Sequence, residues 1–325
     1  MFDEVGGPEV LRVADVDLGE PGAGEVRIRV DSIGVNRSEA MFRAGTYYLQ
    51  PQLPAARLGF EAAGEVEAVG AGVSGLAPGD LVSTIAGFSP RDYGVYGEQA
   101  IVPASSVLHR PEAVDAVTGA AVWMTHSTAY GALVERGQMR PGDVVVITAA
   151  SSGVGLAAIQ ITNRIGAIPI ATTRTAAKRQ RLLDAGAAHV IALDEGDLVE
   201  RVRALTDGRG ADLVFDPVAG PGVTDLVYAS APGARVIIYG WLDLKATPLP
   251  LTGGNISIVS YGNTYVTSSP ERLRRVEHFI NAGLRSGALA PTIDRTFEDL
   301  SDIVEAHRHL ESNTQVGKII VKVRH

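Results

Sequence analysis

Val144-Val145-Val146-Ile147-Thr148-Ala149-Ala150-Ser151-Ser152-Gly153-Val154-Gly155-Leu156-Ala157-Ala158 is the stretch on which the fold turns. The turn Pro141-Gly142-Asp143 leads into a strand, and small residues follow where the chain must bend sharply into a helix. Such a bend aims backbone N–H groups at an anion. Against the G-x-G-x-x-G template, Ala150 and Ser152 stand in for the first two glycines and Gly155 holds the last. Gly153 and Gly155 could simply allow close helix–sheet packing. A strand before and a helix after favour cofactor binding, with Ser151, Ser152, Gly153 and Val154 as contacts.

Downstream, strands and helices alternate. Candidate strands are Ile168 to Thr172, His189 to Ala192, Ala211 to Phe215 and Ala234 to Tyr239, with helical stretches such as Ala176 to Ala185 and Leu198 to Thr206 between them. That order implies a parallel, doubly wound sheet. Upstream, Glu25 to Val30 and Gly64 to Gly70 alternate polar with apolar, and short strands separated by turns suggest a compact barrel. After about Val266 come two amphipathic helices, Pro270 to Ser286 and Leu300 to Glu311, and then the strand Lys318 to Val323. A lone final strand needs a partner, and the amino-terminal β region is the expected one.

A chain of 325 residues exceeds one ordinary core, so two domains are expected. A net charge of -8 disfavours a nucleic-acid groove. The opening residues lack the order of a signal peptide and no apolar run reaches membrane-spanning length, so a cytoplasmic location with no membrane partner is expected. The count of zero cysteines removes disulfides and thiolate zinc sites. Of the histidines, His278, His307 and His309 read as exposed helix residues.

Cofactor choice turns on the end of the next strand, where NAD enzymes place an acid on the ribose 2′-hydroxyl. Here the segment runs Thr172-Thr173-Arg174-Thr175-Ala176-Ala177-Lys178, with hydroxyls and two cations and no acid. Arg174 can grip a 2′-phosphate with its planar fork, Lys178 adds a point charge, and Thr173 adds a hydroxyl. NADP(H) is the expected cofactor. Arg179 and Arg181 read as a solvated helix face.

Taken together, Gly7-Pro8-Glu9-Val10-Leu11, Gly34-Val35-Asn36, Gly59-Phe60-Glu61-Ala62-Ala63-Gly64, Pro78-Gly79-Asp80, Thr128-Ala129-Tyr130, the Ala150 to Gly155 loop, Ala185-Gly186-Ala187 and Gly317-Lys318-Ile319 resemble the zinc-independent quinone oxidoreductase branch of the medium-chain dehydrogenase/reductase superfamily. The resemblance spans nearly the whole chain. It implies an α/β protein: a GroES-like β-barrel catalytic domain, residues 1–118 and 267–325, with an inserted doubly wound Rossmann NADP(H)-binding domain, residues 119–266. Zinc-containing relatives have a cysteine where this chain has Asn36 and a histidine where it has Phe60, so no metal is expected. Many quinone reductases keep a phosphate-contacting tyrosine where Leu193 stands here.

The resemblance also supplies candidate roles. Without a metal, the substrate oxygen must meet hydrogen-bond donors, and Asn36 and Tyr47 are the candidates, with Tyr48 as the alternative and water as a rival proton source. Asn36 could instead cap a turn into the Ser38 to Phe42 helix, and Glu61 is expected to anchor a loop. Thr128, Tyr239 and Gly240 are placed near the nicotinamide, and Tyr48, Tyr93, Trp123 and Asn263 along the substrate pocket; His126 is expected to be a packing residue. The implied reaction is NADPH-dependent hydride transfer to a quinone or α,β-unsaturated carbonyl. Metal-free carbonyl reduction or alcohol oxidation, and a non-catalytic NADPH-binding structural or regulatory role, are the alternatives. A homodimer is implied, with Ser257-Ile258-Val259-Ser260 able to extend a sheet across two subunits.

Overall fold

The computed structural model describes residues 1–325 as two compact units. The first comprises Met1–Met124 and Pro291–His325, the second Thr125–Ala290.

In the first unit, β1 (Glu25–Val35) alternates so that Val26, Ile28 and Val30 are buried. It is followed by α1 (Arg37–Arg43), β2 (Glu61–Val69), β3 (Leu81–Thr84), β4 (Gln99–Pro103), β5 (Val107–His109) and the start of α2 (Ala116–Tyr130), within which the unit boundary falls. β1 is long enough to serve three neighbours, pairing antiparallel with β2, with β4 at its beginning and with the last strand of the chain at its end.

The second unit contains β6 (Val144–Ile147), α3 (Gly153–Ile165), β7 (Ile168–Thr173), α4 (Arg179–Asp184), β8 (His189–Ala192), α5 (Leu198–Leu205), β9 (Ala211–Asp216), α6 (Val223–Tyr228), β10 (Ser230–Ile238), β11 (Ser257–Ser260), α7 (Thr264–Thr267) and α8 (Pro270–Ser286). Its six strands are all parallel, in the order β11-β10-β9-β6-β7-β8. This is the doubly wound order of a dinucleotide-binding sheet, and the order reverses between β6 and β9. Val145, Val146 and Ile147 of the central strand are fully buried, as a strand covered on both faces requires.

The chain then returns to the first unit through β12 (Ile293–Phe297), α9 (Ile303–Ser312) and β13 (Lys318–Lys322), the strand that pairs with β1. Two expectations need correcting. The break near residue 266 lies instead at 290, because α8 packs within the parallel-sheet unit: Phe279 meets the Tyr130 ring at 4.6 Å and lies under Arg164, and Arg275 pairs with Glu135. His307 is not exposed. It shares the inner face of α9 with Ile303, Ala306 and Leu310, a spacing that puts all four on one stripe. No helix is long and apolar enough to cross a membrane.

Candidate functional site

At its switch point the parallel-sheet unit makes a tight strand-to-helix turn of the kind that can cradle a phosphate. After β6, Ala149 takes a left-handed φ of 44°, and Ser152 closes the bend by capping α3, its Oγ accepting from the Gly155 amide at 3.1 Å. A Cβ at Gly155 would stand 2.6 Å from the Cα and carbonyl oxygen of Ala150, so only glycine allows loop and helix this close. Ser151 to Val154 are half-buried, with their amides at the amino end of α3.

Beside this loop, the Thr148 hydroxyl donates to the Asp216 carboxylate at the end of β9, and the other Asp216 oxygen accepts from the Ala219 amide at 2.6 Å. Burial holds the Asp216 carboxyl above its ordinary range, against the pull of those donors. Tyr239 stacks on Phe215, ring centroids 4.0 Å apart, and its amide donates to Asp216 O. Its buried hydroxyl makes no hydrogen bond of good geometry, and Asp216 and Ser152 are the polar groups that act on it. A Cβ at Gly240 would meet Pro217 O at 2.7 Å, so this turn too is drawn tight.

At the end of β7, Thr173 is buried while Arg174 is exposed and in no ion pair. Lys178 is half-buried with Nζ 3.3 Å from Ser151 Oγ. Arg179 is held by Glu195, whereas no acid holds Arg174. The cradle, the orphaned tyrosine hydroxyl and these cations are a donor set suited to a phosphorylated dinucleotide.

The first unit holds a second cluster, built by strand register. Val35 pairs with Ile319 and Gly34 with Glu61, so Asn36, Lys318 and Glu61 meet where three strands end. The Lys318 ammonium donates to Asn36 Oδ1 and to Glu61 Oε2, the latter at 2.6 Å. Glu61 Oε1 accepts from the Met124 amide at 2.9 Å, so this acid anchors α2. Asn36 Nδ2 donates to Gly34 O and Glu39 Oε1, both at 3.1 Å. Glu39 also accepts from the Asn36 and Phe60 amides and from the Tyr96 hydroxyl, at 2.6, 2.9 and 2.7 Å. Burial pushes the Glu39 carboxyl up, with Lys318 opposing, and burial beside Glu39 lifts the Tyr96 hydroxyl well above its usual range.

This arrangement corrects the reading of Asn36 as a free donor to substrate. Both hydrogens of its amide point inward to acceptors, and its oxygen is taken by a lysine, which also fixes the orientation of the amide. Glu39, Tyr96 and Lys318 were absent from the expected site. The available signal for Lys318 is a lysine directly before the apolar run Ile319-Ile320-Val321.

Tyr47 follows α1, half-buried, its ring 4.4 Å from that of Tyr48. Burial, then Tyr48, raise its pKa, so the hydroxyl keeps its proton at neutral pH and can donate. Tyr48 is 62% exposed. Two other pocket candidates are corrected. Tyr93 donates to Glu25, at the opposite end of β1 from Asn36, and Trp123 is a core residue, 2% exposed. In the second unit, Asn263 donates to Ser127 Oγ at 2.9 Å, which brings it beside the turn of α2 that carries buried Thr128. His126 is buried and bonded to Thr125 and Gln160. No group of three His, Asp or Glu side chains is placed to hold a metal ion.

Residues 22–112 match the model of the alcohol dehydrogenase GroES-like domain, and residues 153–281 that of the zinc-binding dehydrogenases. The chain is 31% identical to the quinone oxidoreductase of Homo sapiens, over 98% of this chain and 95% of that protein. It superposes on the Escherichia coli quinone oxidoreductase complexed with NADPH with a TM-score of 0.91 and 28% identity, covering 99% of this chain and 98% of the other. A structure described as an NAD-dependent alcohol dehydrogenase gives a TM-score of 0.87 at 31% identity, with the same coverage.

Proposed function

The chain belongs to the quinone oxidoreductase family of the medium-chain dehydrogenase/reductase superfamily, and from that membership we propose that it is an NADPH-dependent reductase of quinones or α,β-unsaturated carbonyls that works without a metal ion. The observation that carries this reading is the switch-point cradle, in which Ser151 to Val154 present amides and Arg174 stands at the end of β7 where an NAD enzyme needs a carboxylate. Bound NADPH would supply a hydride, that is, two electrons and one proton, and the acceptor takes a second proton from a donor or from water.

The residues of the chain do the rest. Ser152, Gly153 and Val154 receive the pyrophosphate, and Arg174, Lys178 and Thr173 the 2′-phosphate. Tyr239, Gly240 and Thr128 bound the nicotinamide side, and Asn263 borders the acceptor. Tyr47 donates to the developing oxyanion. Asn36 contributes by ordering the strand ends. Lys318 already supplies the positive charge between Asn36 and Glu61, which supports a site that needs no metal.

The experiment is an acceptor panel of quinones, enones, enoyl thioesters and aldehydes, with NADPH and NADH oxidation followed and products identified. NADPH oxidation with quinones or enones, unchanged by chelator, is expected. Reduction of aldehydes alone, or activity lost with zinc, would reject it. The 31% identical structure described as an NAD-dependent alcohol dehydrogenase favours carbonyl–alcohol chemistry as the second reading.

A further inference from the structure

Two carboxylates, a lysine and an amide share one buried cluster in the first unit: Glu39, Glu61, Lys318 and Asn36 are 1%, 0%, 3% and 9% exposed. Burying such a group costs several kcal/mol per ion unless every charge is paired, and apolar replacements are often as stable. The pairing here is close to complete. Glu39 accepts four hydrogen bonds, Glu61 accepts two, and the Lys318 ammonium sits between Glu61 and the Asn36 amide oxygen. A Cβ at Gly34 would stand 1.9 Å from Ala120 O, so glycine is required there for α2 to approach β1, and the missing side chain also leaves room for Lys318 Cε and Glu61 Oε2, which a Cβ would meet at 2.9 and 3.0 Å.

We propose that Lys318 is a positioning residue of the transfer site, the cation built into the chain that fixes the Asn36 amide and the Glu61 carboxylate and, through them, the strand ends and α2. An ammonium donates to both oxygens at once and also balances the buried Glu61 charge, which no neutral side chain does. With Lys318 removed, Glu61 keeps only the Met124 amide, and the Asn36 amide, still held through Nδ2 by Gly34 O and Glu39, loses the donor to its oxygen. The inference rests on the reading of this chain as a reductase whose transfer site includes the Asn36 region.

The test uses the full chain as Lys318→Ala and as Lys318→Ala/Glu61→Gln, the second removing the buried charge left by the first. Each is measured for Tm with and without methylammonium, for NADPH Kd, for quinone turnover, and for the Asn36 side-chain amide resonances after selective ¹⁵N-asparagine labelling. Expected for Lys318→Ala are a lowered Tm that methylammonium raises saturably and shifted Asn36 resonances. The double variant is expected to regain Tm but stay at least about tenfold slow, the worth of one charge-assisted hydrogen bond, with NADPH Kd within about twofold. Wild-type turnover in the double variant, unmoved Asn36 resonances, or no response of Lys318→Ala to methylammonium would overturn the proposal. If the wild type turns over no acceptor, the reductase reading fails by itself, and the resonances and Tm still decide whether Lys318 orders the cluster.

Discussion

Thr148 and Asp216 are hydrogen-bonded side chain to side chain across the carboxyl ends of β6 and β9, the two strands between which the parallel sheet reverses its order. The bond ties the phosphate loop to the β9 turn, because Asp216 also accepts from Ala219, a non-glycine residue held at a φ of 59°. Thr148→Val keeps the shape and removes the donor from a buried carboxylate. It is expected to cost about 1.5–3 kcal/mol in urea unfolding and to weaken NADPH binding, with Asp216→Asn costing less because the buried charge goes too. A Thr148→Val midpoint equal to wild type would show that the brace is idle.

Tyr239→Phe separates cofactor binding from stability. The hydroxyl is buried without a good partner, so its removal relieves an unsatisfied group and leaves the Phe215 stack intact. Tm of the cofactor-free protein should hold or rise, while NADPH Kd rises about tenfold, because the hydroxyl that acts on Ser152 in the loop before α3 is lost. A lower Tm with unchanged Kd would make Tyr239 a structural residue only.

The parallel sheet was legible because its signals are local: Pro141-Gly142-Asp143 opens β6, the apolar run fills it, and Ser152 and Gly155 sit at cap and close approach. The Asn36 cluster was not legible, since Asn36 and Lys318 meet only through the register of β1 with β13, a pairing of residues nearly the length of the chain apart. His307 was misread for a different reason. Residues 303, 306, 307 and 310 do spell a buried stripe, but the residue type argued for exposure and outweighed the periodicity. Trp123 lies in the core and Tyr93 is held by Glu25 near the surface, because an aromatic side chain fits a core or a hydrogen bond at its rim as well as a cleft.

Association can be tested at β11, the edge of the six-stranded sheet. The segment before it leaves Leu244, Leu249 and Leu251 67%, 80% and 91% exposed, an apolar edge that a second copy would cover. Light scattering should report a dimer at micromolar concentration, and Leu249→Asp/Leu251→Asp should shift it to monomer. A wild-type monomer would end this reading.

His307 predicts an acid-sensitive first unit. Burial, then Arg43 and Arg37, bring its pKa down from 6.5 to about 3, and Arg43 donates to its Nδ1 at 2.8 Å. The folded state therefore binds fewer protons than the unfolded chain between those values, so stability is present above about pH 6.5 and is lost as pH falls toward 3. The slope approaches about 1.4 kcal/mol per pH unit in that window. Urea midpoints measured from pH 7.5 to 4.5 should fall, and His307→Gln should flatten the curve by about that slope. Parallel curves for both proteins would mean that other groups carry the acid sensitivity.

The last prediction concerns how the two cations at the end of β7 divide their work. Arg174 is exposed and unpaired, while Glu195 occupies its neighbour Arg179, so Arg174 is the guanidinium with its fork available to a 2′-phosphate. Lys178 leans on Ser151 in the loop before α3, the loop proposed to receive the pyrophosphate common to both dinucleotides. Charge-assisted hydrogen bonds contribute about 1.5–3 kcal/mol each, so Arg174→Ala should raise KM for NADPH roughly ten- to a hundredfold and leave NADH nearly unchanged. Lys178→Ala should weaken both cofactors, NADPH more, because it loses a phosphate charge and loosens Ser151 together. An equal effect of Arg174→Ala on both cofactors, or a wild-type preference for NADH, would remove Arg174 from the phosphate site. With Leu193 exposed where a second phosphate contact is otherwise expected and Arg179 held by Glu195, the Arg174→Ala/Lys178→Ala pair should lower the preference for NADPH further than either change alone.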